Sequence, residues 1–316
     1  MRMAIRPTAA SLVDRLPRVR GAYVEDAPLA GVTWFRAGGP AEVLFRPADA
    51  ADLADFMAGR PADVPVTLLG AGSNVLVRDG GVPGVVIRLG RPFAQIVVDG
   101  LTVTAGGMAL DYNVAKACRD AAIAGFEFLS GIPGTIGGGL RMNAGAYGRE
   151  LADVVVEVEV VTDDGALRRL SKQEWGPSYR HAAVPDGWIF TGATMRGVRG
   201  DSVEIARGMA WVQAAREEAQ PIRSRTGGST FKNPDGAKAW ELIDRAGCRG
   251  LRHGAAQISE KHCNFLINNG GATATDLEAL GEEVRRRVAE TCGVTLEWEI
   301  RRLGVPAAPG PREVRP

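Results

Sequence analysis

Histidine and cysteine are scarce in this chain of 316 residues, which has three of the first and four of the second. Cys118, Cys248, Cys263 and Cys292 form no C-x-x-C pair and share no metal-ligand spacing, so reduced, structural thiols are expected. With His181, His253 and His262 the only imidazoles, neither a zinc nor a haem centre is expected, and the metal inventory is set at none. A surplus of one charge is missing too, since 38 Lys and Arg stand against 37 Asp and Glu for a net +1. That gives no support to nucleic acid or a membrane surface as a partner, and any bound anion has to be held by local geometry. No segment approaches the roughly 20 uncharged apolar residues of a membrane span. The opening MRMAIRPTAASLVDRLPRVRG is charged throughout, with no apolar run of signal-peptide length. A cytoplasmic protein is expected.

Glycine, by contrast, is plentiful at 41 residues, and it punctuates the chain. Short runs rich in Val, Ile and Leu crowd residues 43–105 between glycines and read as a compact β-rich unit. A helix is expected over 110–124, stopped by Gly125, followed by a glycine-dense loop, LSGIPGTIGGGLRMNAGAYG. VVVEVEVVTDDGALRRL alternates around Asp-Gly and reads as a hairpin. The strand-like WIFTGATM and a helix over 201–219 follow. The charged, proline-bearing stretch from Arg216 to Arg225 is a plausible boundary. Beyond it come a helix (AKAWELIDRA), a strand (NFLINN) and a helix over 276–292. That last helix carries Leu277, Leu280, Val284 and Val288 as its buried stripe, Thr275 and Glu278 as a capping box and Gly293 as its stop. The final strand is expected in VTLEWEIRRLG, and the Pro-rich VPAAPGPREVRP reads as a loose tail.

Two glycine loops invite a nucleotide. VTLLGAGSNVLVRD runs a strand into Gly70-Ala71-Gly72-Ser73-Asn74, but the third glycine of a Rossmann turn would fall on Val75, and a strand follows where a helix should start. The loop therefore joins two strands and can offer backbone N–H groups to an anion. Gly131 to Gly139 is no Walker loop either, since no lysine follows at the required spacing. Either loop alone could be a tight turn. Together, with Asn143–Gly145 just beyond, they suggest a large phosphate-bearing cofactor clasped by backbone.

TWFRAGGPA (33–41), LLGAGSNVLVRDGG (68–81), GIPGTIGGGLRMNAGAYG (131–148), SYRH (178–181), GGSTFKNP (227–234), SEKHCNFLIN (259–268) and LEWEIRRLG (296–304) occur in that order. The series resembles the signature segments of the MurB-type flavoenzymes, the UDP-N-acetylenolpyruvoylglucosamine reductase family, over about residues 28–304. The short stretch after Tyr179 is similar to that family's second subtype. The resemblance implies an α+β fold, namely a two-subdomain FAD-binding unit of the vanillyl-alcohol oxidase (PCMH) type plus a C-terminal α+β substrate-binding domain. It divides the chain into an N-terminal segment (1–27), FAD subdomains (28–92 and 93–200), the substrate domain (201–304) and a tail (305–316). The implied cofactors are non-covalent FAD with NADPH as co-substrate. The implied substrate is the enolpyruvyl ether of UDP-N-acetylglucosamine, reduced to UDP-N-acetylmuramate by a monomeric enzyme.

The resemblance also implies roles for particular residues. Arg180 matches the family's catalytic arginine, and its guanidinium fork suits a carboxylate on which charge develops. Ala182 stands where relatives often carry a serine. Glu299 matches the catalytic glutamate, and period-2 reading puts it opposite Val294, Leu296, Trp298 and Ile300. Ser229 matches the proton donor, with Gly227 and Gly228 clearing space around it. Tyr179, Lys232, Asn233 and His262 are assigned to the substrate. Arg36, Gly70, Ala71, Gly72, Ser73, Asn74, Gly131, Pro133, Gly134, Thr135, Gly137, Gly138 and Ala144 are assigned to FAD. Two other readings compete, an FAD-dependent oxidase of the same fold and a non-catalytic nucleotide-binding relative. No histidine lies near either glycine loop to tether a flavin, which disfavours the oxidase. The joint presence of Arg180, Ser229 and Glu299 disfavours the non-catalytic relative.

Overall fold

The computed structural model describes residues 11–308. Its first sheet is built from β1 (Ala22–Pro28), β2 (Pro40–Arg46), β3 (Val66–Leu68) and β5 (Val82–Ile87), in the order β1-β2-β5-β3. Helix α1 (Ala50–Gly59) presents Leu53, Phe56 and Met57 to this sheet, and Phe56 packs on Phe45 with ring centroids 4.6 Å apart. The segment expected to stand apart at 1–27 contributes β1 to this sheet, where it pairs with β2 from Ala22 to Pro28.

Strand β4 (Val75–Val77) leaves that sheet, although the loop before it does join two strands as expected. The second sheet is antiparallel and comprises β6 (Ile96–Asp99), β7 (Thr102–Gly106), β8 (Val155–Val161), β9 (Leu167–Ser171) and β10 (Ile189–Arg196), in the order β9-β8-β10-β7-β6. The expected hairpin is β8–β9, turning at Gly165 with φ 85°. Helices α2 (Asp111–Asp120) and α3 (Ile136–Met142) pack on this sheet and share its core through Val114, Cys118, Ile136 and Leu140. Helix α2 ends short of the expected 124, because Ala122 adopts φ 55° and Ile123–Ala124 bridge Val198–Arg199 instead.

Part of the expected glycine loop is helical, and the reason is packing. A Cβ on Gly137 would lie 2.9 Å from the Gly107 carbonyl oxygen and 3.1 Å from that of Phe190. A Cβ on Gly139 would lie 2.6 Å from Leu151. Gly137 brings α3 onto the sheet backbone and Gly139 admits the Leu151 side chain, so neither is there to loosen the chain. Helix α4 (Ser202–Ala219) follows β10 and buries Ile205 and Met209 in the same core. The structure thus attaches α4 to the second subdomain, whereas the expected boundary at 200/201 gave it to the substrate domain. The charged stretch from Arg216 is where the cores change.

The third core gathers α5 (Ala239–Arg245), the small sheet β11 (Arg252–His253), β12 (Ala256–Ile258) and β13 (Leu266–Asn268), and α6 (Ala274–Cys292). Leu277, Leu280, Val284 and Val288 of α6 are buried as the period predicts, and Gly293 ends the helix at φ 69°. Its capping box is Thr273 with Asp276, two residues earlier than expected. Thr275 and Glu278 are occupied elsewhere. Asp79 accepts hydrogen bonds from the N–H groups of Ala274 (2.9 Å) and Thr275 (2.8 Å), and Arg78 grips Glu278 with two bonds of 2.8 and 2.9 Å.

The expected strand over VTLEWEIRRLG is interrupted. Leu296 and Ile300 are buried and Trp298 lies on Gly281, where a Cβ would come within 2.2 Å of its ring, so the alternation holds. The ladder does not hold, because the chain changes partner: Trp298 bridges Phe231, and only β14 (Arg301–Leu303) pairs in parallel with β4. Beyond it Val305 exchanges hydrogen bonds with Gly80 and Gly81, and the rest of the expected tail past 308 lies outside the described residues.

The glycine argument has a stability consequence. Gly137→Ala should lower the thermal unfolding midpoint of the apoprotein, since overpacking of this kind costs about 1–3 kcal/mol. Gly138→Ala meets only Thr135 Oγ1 at 3.6 Å and should hold or slightly raise the midpoint, as alanine is the better helix former. Equal midpoints for the two variants, measured by differential scanning calorimetry, would refute the close-approach explanation.

Candidate active site

Arg180 sits at the tip of a two-stranded turn, Pro177–Ser178 against His181–Ala182, and its backbone is left-handed at φ 53°. A bulky residue rarely adopts that region without surroundings that impose it. Its Nε donates to Glu299 Oε1 at 2.8 Å, across 119 residues of sequence, with the side chains 23% and 13% exposed. Burial pushes the Glu299 carboxyl above its usual range, against the opposing pull of Arg180 and Lys232. Glu297, two residues earlier, is 75% exposed and meets Lys232 Nζ at 3.2 Å.

Backbone hydrogen bonds bring Ser229 to the same place. Glu299 N–H donates to the Thr230 carbonyl at 2.8 Å, Lys232 N–H to the Glu297 carbonyl at 2.9 Å, and Ser229 bridges Phe265 on its other side. The buried Asn264 amide clamps Phe231 in both directions, accepting from its N–H at 2.9 Å and donating to its carbonyl at 2.8 Å. Before the serine, a Cβ on Gly227 would collide with the Phe35 ring at 2.4 Å, and Gly228 turns at φ 81° into open space. Arg180, Ser229 and Glu299 therefore converge from three separate segments.

The two glycine loops also meet. A Cβ on Gly70 would lie 3.4 Å from Thr135 Oγ1, and Gly72 turns at φ 69° where a Cβ would strike the Val32 carbonyl oxygen at 2.3 Å. Asn74 ties both loops to the acidic strand. Its Nδ2 lies 3.1 Å from Met142 Sδ and donates to the Glu299 carbonyl at 3.2 Å, and its own carbonyl accepts from Arg301 N–H at 3.0 Å. Beside the loops opens a cavity of about 600 Å³ whose walls include Ala71, Pro133 and Gly134 together with Trp34, Arg88 and Arg216. Another cavity, of about 540 Å³ beside His253 and Arg286, contains none of the candidate residues and is set apart from the chemistry.

The remaining candidates are placed as follows. Gly131 is buried, with a Cβ position 2.7 Å from Val212, and Ala144 N–H closes α3 on the Gly139 carbonyl at 2.9 Å. Arg36 is exposed, left-handed at φ 56°, and donates to the Gly31 carbonyl. Tyr179 is 56% exposed beneath the Arg180 guanidinium. Asn233 Oδ1 accepts from Ala239 N–H at 3.0 Å, so its oxygen is committed to the start of α5. His262 is half-buried, accepts from Asn264 N–H at 3.3 Å, and is held below the usual imidazole range chiefly by that burial. Ala182 is buried and offers no hydroxyl beside Arg180. Sequence reasoning missed Arg88, whose Nε is buried without a partner among the described residues, and the Asn264 clamp. Asn264 lay inside the SEKHCNFLIN segment. Arg88 had no local signal beyond an arginine ending an apolar strand.

Arg88, half-buried with an Nε that has no acceptor among the described residues, backbone cradles at Gly70–Asn74 and Gly131–Gly138, and aromatic Trp34 and Tyr112 on the cavity wall fit a dinucleotide bearing phosphates. Asn74 links the first of these loops to the strand of Glu299, the partner of Arg180. Fold and site together define a flavin-dependent oxidoreductase of the α+β class. Residues 41–171 match the family model "FAD binding domain", and residues 220–303 match the model "UDP-N-acetylenolpyruvoylglucosamine reductase, C-terminal domain". The UDP-N-acetylenolpyruvoylglucosamine reductase of Parvibaculum lavamentivorans is 62% identical over 96% of this chain and 97% of its own. That of Rhodospirillum rubrum is 60% identical over 93% and 94%. The crystal structure of the Thermus caldophilus enzyme superposes with a TM-score of 0.77 at 37% identity, over 90% of this chain and all of that one. The chain belongs to the UDP-N-acetylenolpyruvoylglucosamine reductase family. Membership makes it an FAD-containing oxidoreductase with NADPH as reductant.

The Glu299 environment predicts a pH dependence with a definite sign. A carboxyl whose folded value is raised binds more protons folded than unfolded, so stability is full below the unfolded value, near pH 4.3, and is lost as pH rises through the folded value. Urea midpoints of wild type should therefore fall across that window relative to Glu299→Gln, which cannot titrate there. Parallel curves would show that burial at Glu299 is offset completely by Arg180.

Proposed function

We propose that this enzyme reduces the enolpyruvyl ether of UDP-N-acetylglucosamine to UDP-N-acetylmuramate, in peptidoglycan precursor synthesis, with Arg180, Glu299 and Ser229 carrying the chemistry. FAD, held by the glycine-loop residues and reduced by NADPH, would supply the hydride for the vinyl group, and the chain's own residues have to meet the negative charge that addition puts on the substrate's carboxylate-bearing carbon. The Arg180 guanidinium meets that carboxylate with paired hydrogen bonds. Glu299, buried and raised in pKa, suits the complementary role, a neutral acid donating to the same carboxylate. Ser229 delivers the proton to the adjacent carbon. A hydroxyl is a weak acid, but a carboxylate-stabilised carbanion is basic enough to accept from it if the placement is right.

The observation that carries this reading is the convergence of the arginine, the glutamate and the serine-bearing segment, through the 2.8 Å Arg180–Glu299 pair and the 2.8 Å bond from Glu299 N–H to Thr230. Lys232 and Asn233, one and two residues past Phe231, are assigned to the UDP-sugar with Tyr179, and His262 shapes that end of the site. Arg36, Ser73 and the glycine-loop residues are assigned to FAD. We take the enzyme to be a cytoplasmic monomer. Among the described residues no helix is long and apolar enough to cross a membrane.

The proposal separates the two half-reactions. With Ser229→Ala, anaerobic stopped-flow should show flavin reduction by NADPH close to wild type and reoxidation by the enolpyruvyl substrate slowed by several orders of magnitude, on the order of 10³-fold or more. Ser229→Cys should recover part of that rate. Reoxidation at the wild-type rate in Ser229→Ala would make the serine a turn residue. Arg180→Lys keeps the charge and loses the fork, so reoxidation should fall on the order of 10²-fold with reduction unchanged. A change within about twofold would leave Arg180 as a partner of Glu299 and nothing more.

A further inference from the structure

We infer that Asp111 is a neutral carboxylic acid packed behind the second glycine loop, and that its ionisation weakens the loop's hold on the anionic cofactor. Asp111 opens α2 and is fully buried, and both carboxyl oxygens lack a hydrogen-bond partner among the described residues. The chain holds a built-in contrast in Asp52, also buried, whose carboxylate accepts from the N–H groups of Arg20 (2.6 Å), Gly21 (2.9 Å) and Ala48 (2.9 Å). Asp52 has the donors a buried charge requires, and Asp111 has none.

The carboxyl of Asp111 touches the back of the glycine loop. A Cβ on Gly134 would lie 2.8 Å from Oδ2, and one on Gly139 would lie 3.9 Å from Oδ1. Backbone bonds fasten the same two segments, from Asp111 N–H to the Gly134 carbonyl (3.2 Å) and from Ile136 N–H to the Ala109 carbonyl (2.9 Å). Gly134 belongs to the cavity wall, so Asp111 stands one backbone layer behind the surface assigned to the cofactor's phosphates. Burial is the cause that raises its pKa far above the ordinary aspartate value, with no charged neighbour contributing. Of the charged groups on elements packed against α2, Glu127 accepts from Gly125 N–H, Arg216 donates through Nε to Gln220, Glu217 pairs with Arg223 and Glu204 with Arg207, while Asp99 and Glu218 have no side-chain partner among the described residues. Arg88, across the cavity wall, exerts no resolved effect on Asp111. A proton on Asp111 leaves the loop's N–H groups and the wall arginines Arg88 and Arg216 unopposed from behind the loop. Its loss would set a negative charge behind a site built for anions and would require water or loop movement to solvate it.

The inference rests on the FAD reading, and the test keeps the two apart. Stripped apoprotein is titrated with FAD, followed by flavin fluorescence, from about pH 6 to about pH 9.5. Binding by wild type at the acid end tests the cofactor reading alone. For the inference, wild-type affinity should fall about tenfold or more toward the alkaline end, while Asp111→Asn, neutral and isosteric, should bind like wild type at pH 6 and change less than about twofold. Titration of the flavin itself affects both proteins equally. Profiles that fall together, or that are both flat, overturn the proposal. Should Asp111→Asn fail to fold, the infrared spectrum of wild type with isotope-labelled aspartate decides the matter. A neutral-acid C=O band that disappears over the pH range in which FAD affinity falls supports the role, and its absence or its loss without a change in affinity ends it.

Discussion

The hydrogen bonds of Asn74 are the junction on which the site depends. One side chain and one carbonyl, both at the end of the first glycine loop, hold the chain at Glu299 and Arg301. From there the parallel pairing of β4 with β14 begins. The pairing carries the C-terminal strand back to a loop more than 200 residues earlier, as the 225-residue separation of the Asn74–Glu299 bond records. Glu299 is thereby fixed two residues before β4's partner strand, where it pairs with Arg180. Arg78 and Asp79, immediately after β4, extend the same attachment to α6.

This arrangement explains why the site's ionic pair is not a stability device. A buried arginine–glutamate bond rarely repays the desolvation of both groups, and burial does raise the Glu299 carboxyl despite Arg180. On the proposed mechanism the cost has a use: an arriving carboxylate would give the guanidinium a new partner, and a glutamate inclined to hold a proton could donate it as a hydrogen bond. Asp111 follows the same logic behind the glycine loop. In both cases burial, more than a neighbouring charge, pushes the carboxyl's pKa upward.

Glycine has several distinct uses in the chain. At Gly72 and Gly228 it permits positive φ. At Gly137, Gly139 and Gly281 it sits inside helices, where it lets a helix approach a sheet backbone, a leucine side chain and a tryptophan ring respectively. Counting glycines alone favours a loop for 131–139, and the error there is instructive, since close approach and flexibility leave the same mark in sequence.

Local information was enough for the elements whose partners are near in the chain. The β8–β9 hairpin, the buried stripe of α6 and the alternation of Leu296, Trp298 and Ile300 follow from periodicity, because each side chain's environment repeats with the backbone geometry. The motif series pointed to the family, and to Arg180, Ser229 and Glu299 as its reactive set. What local pattern could not supply was partnership. Thr273 and not Thr275 caps α6 because Asp79 claims Thr275. Helix α4 joins the second core because its apolar face finds α2 and the turn at Glu127–Gly131. Asp111 and the Nε of Arg88 look like ordinary surface groups in sequence and become buried only when distant segments close around them. Burial and partner choice are properties of the assembled chain, since the free energy of a charge depends on what surrounds it in space and hardly at all on its neighbours in sequence.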